Sequence, residues 1–183
     1  MLSTDITTFK PLDQIDLSSK NIHKSDKKYS ILDDKTQKTI GSITMDHEDS
    51  KIKFEYGGNL TMDQYEIIHN SILYVNELVE GKIDDSNSLL GYLENGEGAY
   101  VVTNWNEWYT FLHKAKFKTM EGQKVKVLDE DGVEIGTGLL MDYKLASDSS
   151  DSFIVTECTL ITTDGEETFS TTTGFKVIAA KDW

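Results

Sequence analysis

Gln123-Lys-Val-Lys-Val-Leu128, Val133-Glu-Ile-Gly-Thr-Gly-Leu-Leu-Met141, Phe153-Ile-Val-Thr-Glu-Cys-Thr-Leu-Ile161, Thr168-Phe-Ser-Thr-Thr172 and Phe175-Lys-Val-Ile-Ala179 are five alternating runs in the last third of the chain. Alternation of period two is the signature of half-buried strands. Two of the connections carry Asp-Gly, at Asp131-Gly132 and Asp164-Gly165. That dipeptide supplies the positive φ angles of a tight hairpin turn. The stretch therefore predicts a C-terminal five-stranded antiparallel small barrel or curled sheet over 117–183.

Upstream, Lys28–Leu32, Thr39–Met45 and Lys51–Tyr56 read as three short antiparallel strands separated by acidic turns. In the third, Ile52, Phe54 and Tyr56 share one face and Lys51, Lys53 and Glu55 the other, which predicts a sheet wet on one side. A helix follows. Thr61 and Gln64 form a capping-box pair, and Tyr65, Ile68, Ile72, Val75 and Val79 make one apolar stripe. Gly81 is expected to end it in the left-handed conformation.

From Lys82 to Gly98 the chain is acidic, with a short helical patch expected at Ser86–Glu94 and a strand at Ala99–Thr103. Asn104 and Glu107 then read as the cap of a second helix carrying Trp105, Trp108, Tyr109 and Phe111. The expected organisation is an irregular N-terminal arm over 1–27, an α+β module over 28–116 and the β-rich module over 117–183. Phe9, Leu12, Ile15 and Leu17 are the apolar residues available to pin the arm. A three-stranded antiparallel sheet covered by one or two helices is the architecture expected of the middle module, so the fold class is α+β.

Charge constrains function more than any motif does. The 183-residue chain carries 18 cations against 32 Asp and Glu, a net −14. All the cations are lysine. Without the planar guanidinium that grips phosphate and guanine, and with this surplus of carboxylates, the chain is poorly equipped to hold nucleic acid. Apolar runs of at most four residues fall far short of the ~20 that a membrane span needs. A mean hydropathy of −0.41, a single cysteine and no visible secretory signal make a soluble cytoplasmic protein the expectation.

In strand count and hairpin placement the last third resembles small Sm-like barrels, a likeness that would imply RNA binding. Seven lysines against thirteen acids over 116–183 give that module about −6 and argue against it. No family is claimed from the likeness.

No constellation of catalytic, cofactor or metal-ligating residues emerges. His23, His47, His69 and His113 lack metal-site spacing. Asp46-His47-Glu48-Asp49 reads as a solvated turn, and Cys158 as an inert thiol within a strand. Asp129-Glu130-Asp131-Gly132 departs from a calcium loop because glycine arrives too early and strand follows.

The reading that remains is a non-enzymatic protein with no cofactor, acting by protein–protein binding on a basic protein partner. An inhibitor fits best, of the toxin-immunity or phage type, presenting carboxylates where phosphates would lie. A prophage or accessory assembly protein is the alternative, and an enzyme without a recognisable motif ranks last. The residues expected to meet a partner are the aromatics Trp105, Trp108 and Tyr109 and the acids Asp129, Glu130, Asp131, Asp148 and Asp151. For the aromatics, burial between the modules is the competing expectation.

Overall fold

The computed structural model describes residues 1–25, 28–146 and 155–180. The described residues form an α+β protein with two α-helices and antiparallel sheets. It divides into two compact units, Met1–Trp108 and Tyr109–Trp183.

The first unit is built on a six-stranded sheet rather than the three strands expected. Its strands are β1 (Leu2–Thr7), β2 (Ile22–Ser25), β3 (Lys28–Leu32), β4 (Thr39–Asp46), β5 (Lys51–Tyr56) and β6 (Lys82–Asp84), in the order β2-β3-β4-β5-β1-β6. The region read as an irregular arm thus supplies a strand inside the sheet. β1 pairs antiparallel with β5 on one side and β6 on the other.

Its sequence hid this because one of its two buried positions is threonine rather than an apolar residue. Thr4 is buried beside Ile6, and its hydroxyl is 2.9 Å from the Tyr56 hydroxyl. β-Branched threonine suits a strand, and its buried hydroxyl needs the partner that Tyr56 provides. Leu12 and Leu17 are buried, as the pinning argument requires, but Phe9 is 99% exposed.

One face of the sheet holds the fully buried Ile6, Ile31, Ile43, Ile52 and Phe54. The helix α1 (Met62–Val79) buries Tyr65, Ile68, Ile72, Val75 and Val79, the stripe read from sequence. It packs on that face: a Cβ at Gly41 of β4 would stand 3.0 Å from Ile68 Cδ1. The capping box is formed, with the Gln64 amide donating to Thr61 Oγ1 (3.3 Å) and the Thr61 amide to Gln64 Oε1 (3.0 Å).

The helix ends differently from expectation. Glu80, not Gly81, adopts the left-handed conformation, at φ 49°. Gly81 is required for another reason. A side chain there would run into Ile6 Cγ2 and stand 3.0 Å from the Thr7 carbonyl, so glycine lets the chain leave the helix hard against β1.

The helical patch expected at Ser86–Glu94 is a hairpin instead. Strands β7 (Leu89–Tyr92) and β8 (Gly98–Tyr100) pair antiparallel around Asn95-Gly96, with Gly96 at φ 84°. Strand geometry also suits Gly91, where a Cβ would press to 3.1 Å from Trp108 Nε1.

The second helix, α2 (Trp105–Met120), continues through the residues expected to link the modules, and the division between units falls within it. Asn104 does not cap it in the expected manner. It sits at φ 58° and its side-chain amide donates to the Gly98 carbonyl at 3.0 Å, tying the start of the helix to β8.

Among its described residues the second unit has four strands where five were expected: β9 (Lys124–Leu128), β10 (Glu134–Leu145), β11 (Val155–Thr162) and β12 (Gly165–Ala179). The last two sequence runs form one strand that passes through Gly174 at φ 108°. The pairings make a circuit, β9 with β10, β10 with β11, β11 with β12 and β12 with β9. Both Asp-Gly turns form, with Gly132 at φ 79° and Gly165 at φ 123°. Val125, Val127, Leu140, Val155, Cys158, Leu160 and Val177 fill the inside, with Phe117 and Met120 from α2.

Candidate functional site

The expected partner-binding residues are divided between the two units, and two of them lie outside the described residues. Trp105 and Trp108 are buried, at 5% and 6% exposure, and are not presented as anchors. Trp105 stacks on His69 of α1 with ring centroids 4.5 Å apart and planes 11° from parallel. Trp108 meets Tyr65 edge-on at 6.1 Å. Both tryptophans therefore hold the start of α2 against α1, a packing role that their area and ring geometry suit. Tyr109 is half-buried and lies against His113, ring to ring, at 4.4 Å.

The acids of the β9–β10 turn divide by role. Asp129 Oδ1 accepts the amides of Asp131 (3.0 Å) and Val133 (2.8 Å), so its carboxylate shapes the hairpin. Glu130 and Asp131 are exposed at the tip. Asp148 and Asp151 lie outside the described residues.

A concave site absent from the sequence reading lies in the first unit, a groove of about 510 Å³ beside the first half of α1. Lys20, Asp34, Lys35, Asp63, Glu66 and Tyr74 are among its lining residues. Lys20 Nζ pairs with Asp34 at 2.6 Å, and Lys35 pairs with Asp63. Asp33 forms part of the wall and is almost fully enclosed. It accepts bonds from Gln64 Nε2 (2.9 Å), the Lys35 amide (3.0 Å) and Thr36 Oγ1 (2.8 Å).

Those donors, Gln64 first, pull the Asp33 carboxyl down to about 2. Gln64 thereby serves two partners, closing the helix cap with its oxygen and clasping the β3–β4 turn with its nitrogen. Sequence alone showed the cap but not the clasp, because Asp33 and Gln64 meet only once β3, β4 and α1 are assembled.

A second buried carboxylate works the same way. Asp85 accepts the amides of Val102 (2.9 Å) and Thr103 (2.7 Å) and the Thr103 hydroxyl (2.9 Å), while Ser88 Oγ donates to the Asp85 carbonyl at 2.6 Å. These bonds fix the loop ahead of α2. Burying a charge in this way is tolerated because its lone pairs are filled.

The titratable groups each have their own local surroundings. His47 Nδ1 is 3.0 Å from Asp13 at an exposed turn. His69 Nδ1 lies 2.6 Å from the Val101 carbonyl oxygen and, because a carbonyl only accepts, it carries the proton and donates. Burial pushes the His69 pKa below its ordinary value, against the opposing pull of that bond and of Glu66. Cys158 faces the interior of the second unit, and burial raises its thiol to about 11. Among the described residues no group of three or more His, Cys, Asp or Glu side chains is placed to hold a metal ion. No helix among them is long and apolar enough to cross a membrane.

No family model matches the chain, and no curated protein or solved structure gives a significant match.

Proposed function

We propose that the protein works by binding a basic protein partner through its surplus of surface carboxylates, as an inhibitor that stands where a nucleic acid would lie. The observation that carries this reading is how the lysines are used. Lys10, Lys20, Lys35, Lys53, Lys126 and Lys144 are each held by a carboxylate of the same chain. Cations drawn into such pairs offer little to a phosphate backbone, and the remaining acids dominate the field seen from outside. Glu130 and Asp131, projecting at a hairpin tip fixed by Asp129, are the exposed acids on which this reading places first contact. The cytoplasm is the compartment it fits, since the single thiol needs no oxidising environment.

The test is affinity capture on the intact chain beside a Glu130→Lys/Asp131→Lys variant, washed at low and at high ionic strength. The captured species is then purified and titrated by calorimetry. A basic protein retained at low salt, released at high salt and bound at least ~10-fold more weakly by the variant is the expected result. Retention indifferent to salt and to charge reversal would overturn the reading.

The assembly-protein reading is favoured by one separate observation. Exposed apolar side chains gather on one face of the second unit: Ile135, Leu139 and Met141 on β10 and Ile161 on β11.

A further inference from the structure

Leu140 and Leu160 are cross-strand partners and both are completely buried, so β10 and β11 have already given their core-facing leucines to the interior. Their neighbours Leu139 and Ile161 are partners one position along, and alternation turns them outward, to 43% and 41% exposure. Met141 sits at the register shift after Leu140 and is 52% exposed. Neither core packing nor solvation accounts for large apolar side chains side by side on an outer sheet face. Such contiguity marks a surface that another surface covers.

The register also fixes what flanks them. Leu139 pairs with Lys124 of β9, and Ile161 pairs with Glu166 of β12. The outer face therefore carries one transverse row, Lys124–Leu139–Ile161–Glu166, with a cation at one end, an anion at the other and two aliphatic residues between. Lys124 and Glu166 are both exposed, and neither is in an ion pair among the described residues.

Such a row is complementary to itself. A two-fold axis along the strand direction, midway between Leu139 and Ile161, sets each Lys124 over the other copy's Glu166. It sets each Leu139 over the other copy's Ile161. Two-fold contacts need this property, since every residue on one side meets its counterpart by symmetry. At about 4.8 Å between strands the row spans ~14 Å, within reach of lysine and glutamate side chains meeting across an apolar centre.

We propose that the outer face of β10 and β11 is an interface between two copies of this chain, centred on Leu139, Met141 and Ile161 and registered by reciprocal Lys124–Glu166 pairs. The apolar centre supplies the attraction, and the charged ends select the register in which the two transverse rows run in opposite senses over a slipped one. This face is distinct from the Glu130–Asp131 tip, so the interface stands or falls independently of the basic-partner reading.

The test is sedimentation velocity on the full chain from micromolar to ~1 mM, a range covering dimers with a Kd as weak as ~1 mM. Lys124→Glu, Glu166→Lys, the double exchange and Leu139→Glu are run beside the parent chain. The parent dimerises. Each single charge reversal weakens association about 10-fold or more, and the double exchange restores it to within a few-fold, because the row has only been reversed. Leu139→Glu leaves a monomer with an unchanged circular dichroism spectrum, as an exposed position should.

A parent that stays monomeric throughout the range overturns the proposal. So does a dimer indifferent to all four changes, or a double exchange that fails to recover association. Loss of captured partner, rather than of dimer, in Leu139→Glu would assign the face to a different occupant and likewise overturn it.

Discussion

Gly81→Ala and Glu80→Gly separate two accounts of how α1 ends. Were Gly81 the left-handed residue, alanine there would cost backbone strain alone, and position 80 would tolerate any side chain equally. The structure reverses this. Glu80 holds the positive φ, and a Cβ at position 81 meets Ile6 Cγ2 and the Thr7 carbonyl oxygen.

Ile6 is fully buried in a strand paired on both sides, so neither it nor the Thr7 backbone can step aside cheaply. Overpacking a fixed core position costs about 1–3 kcal/mol, and the entropy that alanine removes from the unfolded chain returns ~0.4–1 kcal/mol. Gly81→Ala should therefore destabilise by ~1–2 kcal/mol. Glu80→Gly should stabilise, because glycine occupies that conformation without a Cβ penalty.

Thermal unfolding followed by far-ultraviolet circular dichroism reads both. At ~2–4 °C per kcal/mol for a chain of this size, Gly81→Ala lowers the midpoint by several degrees. The cost should shrink on an Ile6→Ala background, where the clashing methyl is gone. A neutral or stabilising Gly81→Ala, or a cost unchanged when Ile6 is truncated, would refute the close-approach argument.

Two pH-linked outcomes follow from the buried groups of the first unit. His69 is held neutral because burial lowers its pKa below the ordinary 6.5, so its contribution is complete above that value and is lost as pH falls through the lower folded value. His69→Gln should flatten this arm of the stability profile, and tryptophan fluorescence should report it, since Trp105 stacks on the ring. Asp33, pulled to about 2 from 3.8, contributes stability present above the unfolded value and lost between roughly pH 4 and 2. Asp33→Asn should lower the urea midpoint at neutral pH and remove that acid-sensitive part. An unchanged acid limit in the variant would show that the Gln64–Asp33 clasp is not what holds the turn.

What was legible in the sequence is what local chemistry determines. The α1 stripe and its capping box, the three strands from Lys28 to Tyr56, and both Asp-Gly hairpins are fixed by residues close together along the chain. β1 was missed because Leu2–Thr7 looks polar until Tyr56 is placed beside Thr4. The β7–β8 hairpin carried a signal that the apolar Leu89, Leu90 and Leu93 outweighed: Asn95-Gly96 is itself a hairpin dipeptide, and its glycine takes the positive φ.

The end of α1 was misread for the same kind of reason, since the demand on Gly81 comes from Ile6, distant in sequence. Exposure at Glu130 and Asp131 follows from the turn, whereas tryptophans near a helix start look alike in sequence whether they face a partner or His69.

The two binding readings make opposite demands on electrostatics, and this separates them more sharply than any single substitution. Two copies of a chain at −14 repel at long range, and added salt screens that repulsion within ~10 Å at 0.1 M. Self-association through an apolar centre should consequently strengthen as salt rises from very low values, until screening reaches the Lys124–Glu166 pairs as well. A basic partner drawn by the same surplus of carboxylates is attracted at long range and loses affinity over that interval. The sign of the salt dependence therefore identifies which contact a given complex uses: an acidic surface meeting its opposite, or a small neutral row on β10 and β11 meeting itself.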